Sequence, residues 1–166
     1  MRSTCPRLDH CRFVNIYKNF TSHHIWPCRY PLDLILDDTH NLKEADLTET
    51  TAKIGMWQGL TDSDPDVDAI YRLIDNTEVF FDKRSPVELA KGTLCPFNSQ
   101  NITVRQEIFP LLYLPAFVTF QFTDILRGLV AQPITWAYGY CLAHCLPQVV
   151  RSTRVQCPHP PHDSGG

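Results

Sequence analysis

The sequence predicts one domain of mixed α and β structure, because strand-like and helix-like segments alternate along a chain of ordinary globular composition. Of its 166 residues, 43% are hydrophobic and 20% are charged, which suits a single core and argues against disorder along the whole chain. Apolar residues bounded by glycines indicate a buried strand at 53–60, and three-four spacing indicates helices at 67–74 and 124–131. We therefore predict an α/β domain over residues 13–146, with irregular or disordered ends at 1–12 and 147–166.

The elements of the first half follow from local patterns. Residues 13–30 mix aromatic and polar side chains without a period, which indicates irregular structure. A short apolar element at 31–36 precedes a polar connecting loop at 37–51. After the strand at 53–60, Pro65 lies near the start of the helix at 67–74, where a helix tolerates proline. Residues 78–82 are a candidate strand.

The second half contains two helix candidates and a polar loop. Ser85 precedes Glu88 by three, the spacing of a capping box, so we expect a helical turn that ends at Gly92. Residues 93–103 are rich in Asn and Ser and indicate a loop. Residues 108–122 are apolar and are expected to form core. Thr123 is the expected N-cap of the helix at 124–131, and 136–146 is a further apolar helix candidate, weakened by its glycine.

Composition excludes several classes of function. A formal net charge of −3 without a basic block argues against nucleic-acid binding, which depends on clustered Lys and Arg. The most apolar run, 108–122, is shorter than the roughly 20 residues of a membrane-spanning helix, and the N-terminus lacks the apolar run of a signal peptide. Seven cysteines at irregular spacing predict no disulfide framework. Cys141, His144 and Cys145 suggest either a metal site or, as we favour, small buried residues of an apolar helix.

Four aspartates at alternate positions are the most unusual local feature: Asp62, Asp64, Asp66 and Asp68. Carboxylates so close together repel one another unless a cation or a donor neutralises them. A helix-loop-helix calcium site would need glycine at the sixth position of the loop, and neither register supplies one. The run is therefore a solvated acidic loop in which Asp64 or Asp66 caps the following helix, or a different metal-binding module.

A family resemblance extends along most of the chain. WQGLTDSDPDVDAIYRL at 57–73 closely resembles a stretch of the STELLO-type glycosyltransferase-like proteins. WPCRYPLDLI at 26–35 is also similar, although Cys28-Arg29 stands where arginine-glycine is usual. Further similar segments follow in the same order: GTLCPFNSQN (92–101), PLLYLP (110–115), FTDILRGLVAQP (122–133) and WAYGY (136–140). More distantly, the chain resembles the reversibly glycosylated polypeptides, which are UDP-arabinopyranose mutases.

The resemblance implies a partial Rossmann-like nucleotide-sugar transferase fold of the GT-A-like kind, of which this chain matches the second half. It implies a Golgi protein that acts on a nucleotide sugar and a glycan acceptor with a divalent cation, Mn²⁺ or Mg²⁺. Because the nucleotide-binding half has no counterpart here, we expect the chain to be a fragment that is inactive alone. The alternative is a non-catalytic scaffold that keeps the fold and works through protein partners.

The resemblance also suggests roles for individual residues. Asp124 corresponds to the base that deprotonates the acceptor, although a plain helix N-terminal aspartate would look the same. Arg127 could pair with Asp124, contact a phosphate or form a surface ion pair. His162, next to Asp163, corresponds to a late metal-binding histidine. The expected substrate-binding residues are Asp64, Asp66, Asp68, Asn98, Gln100, Asn101 and Arg127. For the amide residues among them, ordinary turn chemistry is the alternative.

Overall fold

The computed structural model describes residues 2–4, 12–42, 47–49, 52–75, 77–113 and 116–150. In this part of the chain the strands are β1 (Arg2–Thr4), β2 (Arg12–Phe13), β3 (Leu47–Glu49), β4 (Ile54–Asp62), β5 (Val87–Leu89), β6 (Thr93–Leu94), β7 (Ile102–Val104) and β8 (Cys141–Val150). The α-helices are α1 (Ala69–Ile74) and α2 (Phe120–Ala137). Short 3-10 helices lie at Ile16–Asn19, Leu32–Leu34, Asp38–His40 and Gln106–Leu112.

Six strands form one mixed sheet in the order β3-β1-β5-β8-β4-β7, and β2 pairs with β6 in a separate parallel ribbon. The two long strands, β4 and β8, run parallel at the centre, whereas β7 and β5 flank them in antiparallel orientation. Helices and strands are both present, so the α/β prediction is confirmed at that level.

The predicted strand at 53–60 is confirmed by β4, which is buried along nearly all its length. Met56 and Leu60 belong to the main core. Gly55 is required by close packing, since a Cβ there would lie 2.7 Å from Ile108 Cδ1. This close approach explains the glycine inside the strand.

Residues 13–30, predicted to be irregular, supply much of the core. A segment without hydrophobic periodicity gives no sign in the sequence of which side chains are buried. Large side chains of this segment are fully buried, among them Ile16, Phe20 and Ile25. Asn15 holds the segment together, because its side-chain amide donates to the Ile25 carbonyl at 2.8 Å and its oxygen accepts from the Tyr17 amide. The segment thus buries its large side chains without a regular period, and the hydrogen bonds of Asn15 hold its backbone in place.

The predicted second helix at 136–146 is wrong. The helix expected at 124–131 is the middle of α2, which begins after Thr119 rather than Thr123 and continues to Ala137. Gly139, with φ of 75°, then ends it: its N–H donates to the Trp136 carbonyl and the Tyr140 N–H donates to the Thr135 carbonyl, the pattern of a Schellman motif. The glycine that weakened the helix prediction is therefore the helix terminator.

The residues after this turn form β8, so Cys141, His144 and Cys145 lie on a strand and not on a helix face. Side chains alternate along a strand, which places His144 on the face opposite the two cysteines. His144 and Cys145 are buried, and Cys141 is partly buried. No group of three metal-ligating side chains exists among the described residues, which leaves the interpretation as buried residues.

Two further local predictions are wrong between β4 and β7. The expected helical turn at 85–90 is the strand β5, whose three residues are all buried between β1 and β8. The candidate strand at 78–82 is reduced to one bridge between Val79 and Ser63. At β5 the neighbouring strands β1 and β8 decide the backbone, which overrides the local capping signal.

The ends contain more structure than expected. β1 lies within 1–12, and β8 continues past residue 146 to Val150. Residues 151–166 lie outside the described residues, so the predicted disorder of this tail stays a prediction.

The segment 108–122, expected to be core, is mostly at the surface. Ile108 is buried, whereas Phe109, Tyr113, Phe117 and Phe122 are exposed. Within the described ranges, no helix is long and apolar enough to cross a membrane.

Candidate functional site

The candidate site lies at the carboxyl end of β4, where the chain leaves the sheet after Asp62. The loop at 95–101 reaches the same place because β7, which follows it, pairs with β4, and the Gly59 N–H donates to the Asn101 carbonyl at 2.8 Å. The first half of α2 covers the other side of this loop. Ligand sites of open α/β sheets form at the carboxyl ends of strands.

The aspartate run does not gather its carboxylates around one point. Each carboxylate has its own partner: Asp62 accepts from the Phe81 amide (2.9 Å), Asp64 pairs with the Arg72 guanidinium (2.6 Å), Asp66 accepts from the Asn98 side-chain amide (2.5 Å) and Asp68 accepts from the Ile70 amide (2.9 Å). Asp68 is thus the N-cap of α1, a role that the sequence assigned to Asp64 or Asp66. The run connects β4 to four separate neighbours.

Asp66 is the member of the run that faces the loop at 95–101. Its Oδ2 accepts from Asn98, and its Oδ1 accepts no hydrogen bond from the described residues. Burial raises the pKa of Asp66, the Asn98 hydrogen bond opposes this, and the nearby negative charge of Asp124 raises the pKa further. The structure therefore brings two predicted site carboxylates within electrostatic reach of each other.

The loop 98–101 is held by side-chain amides, among them the buried amide of Gln58. Asn98 accepts from the Gln100 backbone N–H at 2.8 Å, and its own backbone N–H donates to Gln58 Oε1 at 3.2 Å. The Gln100 side chain donates to the Asp64 carbonyl at 3.1 Å. Asn101 packs against β4, where a Cβ on Gly59 would overlap its side-chain amide. Asn98 and Gln100 thus line the site, whereas Asn101 supports the strand beneath it.

Asp124 is joined to this loop through Ser99. The Ser99 backbone N–H and hydroxyl donate to the Asp124 carboxylate at 3.1 and 2.8 Å, and Arg127 Nη2 pairs with the same carboxylate. Because α2 begins at Phe120, Asp124 lies beyond its first turn, which disfavours the interpretation of Asp124 as a plain helix N-terminal residue. Of the alternatives stated for Arg127, the structure contains the ion pair with Asp124.

Arg127 is a buried residue, which excludes the surface ion pair as its explanation. Its side chain is 5% exposed, its guanidinium lies 5.8 Å from the Phe97 ring centroid, and Nη2 also donates to Ser99 Oγ at 2.8 Å. Arg127 also lines a cavity of about 240 Å³ between α2 and the Gln106–Leu112 helix. A buried cation thus stabilises the Asp124 carboxylate from beneath.

Two residues of the site were not anticipated. Ser99 bridges Asp124 and Arg127, and Gln58 holds Asn98 and Asn101 from within β4. A glutamine inside the apolar strand 54–60 was the available signal for Gln58, because a buried amide must have hydrogen-bonding partners. Ser99 carried no such signal, since serine is ordinary in an Asn-rich turn.

The described residues do not by themselves fit a divalent-cation site. They contain no cluster of three His, Cys, Asp or Glu side chains, and the carboxylates of Asp64 and Asp124 are already paired with arginines. His162, the predicted metal ligand, lies outside the described residues, so that assignment stays a prediction.

Chemically, the site offers one carboxylate with an available oxygen, a second that is neutralised by arginine, and side-chain amides between them. Carboxylates and amides arranged in this way suit the hydroxyl groups of a sugar, which both donate and accept hydrogen bonds.

Comparison with known proteins finds relatives over most of the chain. No protein-family model matches the chain. The probable glycosyltransferase STELLO2 of Arabidopsis thaliana is 33% identical over 150 residues, which cover 86% of this chain and 19% of that protein. The probable glycosyltransferase STELLO1 of the same plant is 31% identical over the same extent. The predicted resemblance to the STELLO family is thereby confirmed, and the chain spans about a fifth of the length of these curated relatives.

Proposed function

We propose, because the chain is similar to the STELLO glycosyltransferases over most of its length, that it forms the acceptor side of a glycosyltransferase site that uses a nucleotide sugar. The proposal includes a GT-A-like arrangement of the complete domain and action in the Golgi. The alternation of strands and helices and the names of the relatives are consistent with it.

One observation carries the proposal: two carboxylates, Asp66 and Asp124, face a common amide-rich loop at the carboxyl end of a central strand. Glycosyl transfer needs a carboxylate to deprotonate the acceptor hydroxyl when it inverts the anomeric centre. It also needs positive charge near the departing diphosphate. Asp124 is the base expected from the family resemblance, and Asp66, Asn98 and Gln100 would contact the sugar.

The divalent cation, Mn²⁺ or Mg²⁺, also remains part of the proposal. When bound, it would stabilise the departing diphosphate. Its ligands would have to come mainly from outside the described residues, with His162 as the candidate within this chain.

Binding measurements test this function without requiring turnover. We expect saturation-transfer NMR to show contact between the purified chain and at least one of cellotetraose, xylotetraose and mannotetraose. Asp124→Asn should weaken this contact, whereas Asp82→Asn, an exposed carboxylate outside the site, should not. Binding of none of these glycans and of no UDP-sugar would overturn the proposal. A second experiment tests the expected inactivity of the chain alone: UDP-sugars and Mn²⁺ are added together and UDP is measured. Sustained UDP release would contradict that expectation.

A scaffold function is the second candidate, and the exposed aromatic residues favour it. Phe109, Tyr113 and Phe117 lie at the surface beside α2, and exposed apolar patches often mark interaction sites. If the protein works through partners, alanine at these positions should abolish function while Asp124→Asn leaves it intact. The reverse result supports glycosyl transfer.

A further inference from the structure

The two carboxylates of the site differ in how many of their lone pairs are already used. Asp124 accepts three hydrogen bonds, two from Ser99 and one from Arg127. Asp66 accepts one, from Asn98, and this bond uses only Oδ2. An incoming hydroxyl can therefore hydrogen-bond to Asp66 Oδ1 without displacing a protein donor.

The electrostatic surroundings of the two carboxylates differ in the same sense. The guanidinium of Arg127 is buried and directly paired with Asp124, which stabilises the anion and weakens it as a proton acceptor. No arginine or lysine of the described residues pairs directly with Asp66. A half-buried carboxylate without a paired cation is the better base of the two, since enzymes separate the roles of neighbouring carboxylates by giving them unlike environments.

We propose that, in the transfer proposed above, Asp66 is the catalytic base and Asp124 is a positioning residue. Asp124 fixes Ser99 by accepting from the backbone N–H and the hydroxyl of Ser99. Ser99 is the neighbour of Asn98 in the chain. The Asn98 amide in turn donates to Asp66 Oδ2 and leaves Oδ1 for the acceptor hydroxyl. This assignment rests on the proposed function and reverses the order of the two residues expected from the family resemblance.

The step balances in atoms and charge. The acceptor O–H bond breaks, and its proton passes to Asp66 Oδ1. The acceptor oxygen forms a bond to the anomeric carbon of the nucleotide sugar. The bond from that carbon to the diphosphate oxygen breaks, and the nucleoside diphosphate leaves with the electron pair. Asp66 later releases the proton to solvent.

The groups around Asp66 set its pH dependence. Burial and the Asp124 charge raise its pKa, whereas the Asn98 hydrogen bond, Arg72 and Arg29 lower it. Tyr17 and Cys28 lie close enough that the Asp66 charge raises their pKa values, and both stay protonated near neutral pH. Asp66 is therefore the group whose ionisation should control acceptor binding on the acidic side.

A base must lie within hydrogen-bond reach of the proton that it removes, so the test asks which carboxylate contacts the acceptor. The chain is labelled with ¹³C at the aspartate side-chain carboxyls, and the Asp66 and Asp124 signals are assigned from Asp66→Asn and Asp124→Asn. We expect cellotetraose, xylotetraose or mannotetraose to shift the Asp66 signal and not the Asp124 signal. Asp66→Asn should weaken glycan binding tenfold or more.

The Asp124 variant separates positioning from mere structural support. In Asp124→Asn, the pH at which glycan binding is half lost should move downward, because one negative charge no longer opposes ionisation of Asp66. An unchanged midpoint, or a glycan-induced shift at Asp124 with none at Asp66, overturns the assignment while leaving the proposed function intact. If neither these glycans nor UDP-sugars bind, the proposed function fails and this assignment fails with it.

Discussion

At the scale of single residues, the backbone conformation of Arg29 is strained, and the family resemblance helps to explain it. Arg29 has a φ of 65°, in the left-handed region that side chains with a Cβ disfavour by roughly 1–2 kcal/mol. The family resemblance implies glycine at this position. The departure from the family pattern is therefore a local backbone cost.

We expect Arg29→Gly to raise the free energy of unfolding by about 1 kcal/mol, since relief of the left-handed conformation exceeds the entropy that glycine adds to the unfolded chain. Urea unfolding measures this. Arg84→Gly is the matched control, because Arg84 has no positive φ and its replacement should destabilise. A loss of stability in Arg29→Gly would contradict the explanation.

Asp66 should reduce stability at neutral pH. Its pKa is raised in the folded protein, chiefly by burial, so the folded state binds this proton more tightly than the unfolded state does. Its contribution to stability is complete below the unfolded pKa and is lost as the pH rises through the folded value. Asp66→Asn should therefore stabilise the protein at pH 7 and have little effect near pH 3, as urea unfolding at both values will show. Equal effects at the two pH values would exclude a role for its charge.

At the scale of elements, turns decide where helices end and strands begin. The Schellman motif at the end of α2 converts an apolar stretch with helical character into the central strand β8. The left-handed residue of the motif is Gly139, around which a Cβ would meet no atom within 4 Å. The requirement for glycine is thus one of backbone conformation and not of space.

We expect Gly139→Ala to lower the free energy of unfolding by about 1 kcal/mol through this conformational cost. Gly139→Asn should cost less, because asparagine tolerates the left-handed region. Thermal or urea unfolding of the two variants compares them directly. Equal losses in both would show that the backbone conformation is not the cause.

At the scale of the whole molecule, the central sheet buries a titratable group. His144 lies on β8 between Val87 of β5 and Gln58 of β4, is 1% exposed, and has a pKa lowered to about 3 by desolvation. Between the ordinary histidine pKa and this value, the unfolded chain binds a proton that the folded chain does not. Acid should therefore destabilise the folded protein through this group.

Between about pH 6 and pH 4, the free energy of unfolding should fall by up to about 1.4 kcal/mol for each pH unit because of His144 alone. His144→Gln should flatten this slope between pH 6 and 4, whatever its effect on stability at pH 7. His24→Gln, at an exposed position, is the control. An unchanged slope in His144→Gln would mean that other groups control the acid transition.

The sequence alone determined the mixed α and β character, the strand at 53–60, the middle of α2 and the family resemblance. These depend on local periodicity and on short sequence motifs in a fixed order. Only the tertiary structure decided that residues 87–89 and 141–150 are strands, since strand formation depends on neighbours distant in the chain. The same holds for the site. The Asp66–Asn98 and Asp124–Ser99 contacts join residues 32 and 25 positions apart, which no local pattern specifies. The aspartate run identified the family, but the partner of each carboxylate was set by the packing of β4 against its loops, and that packing separates the roles of Asp66 and Asp124.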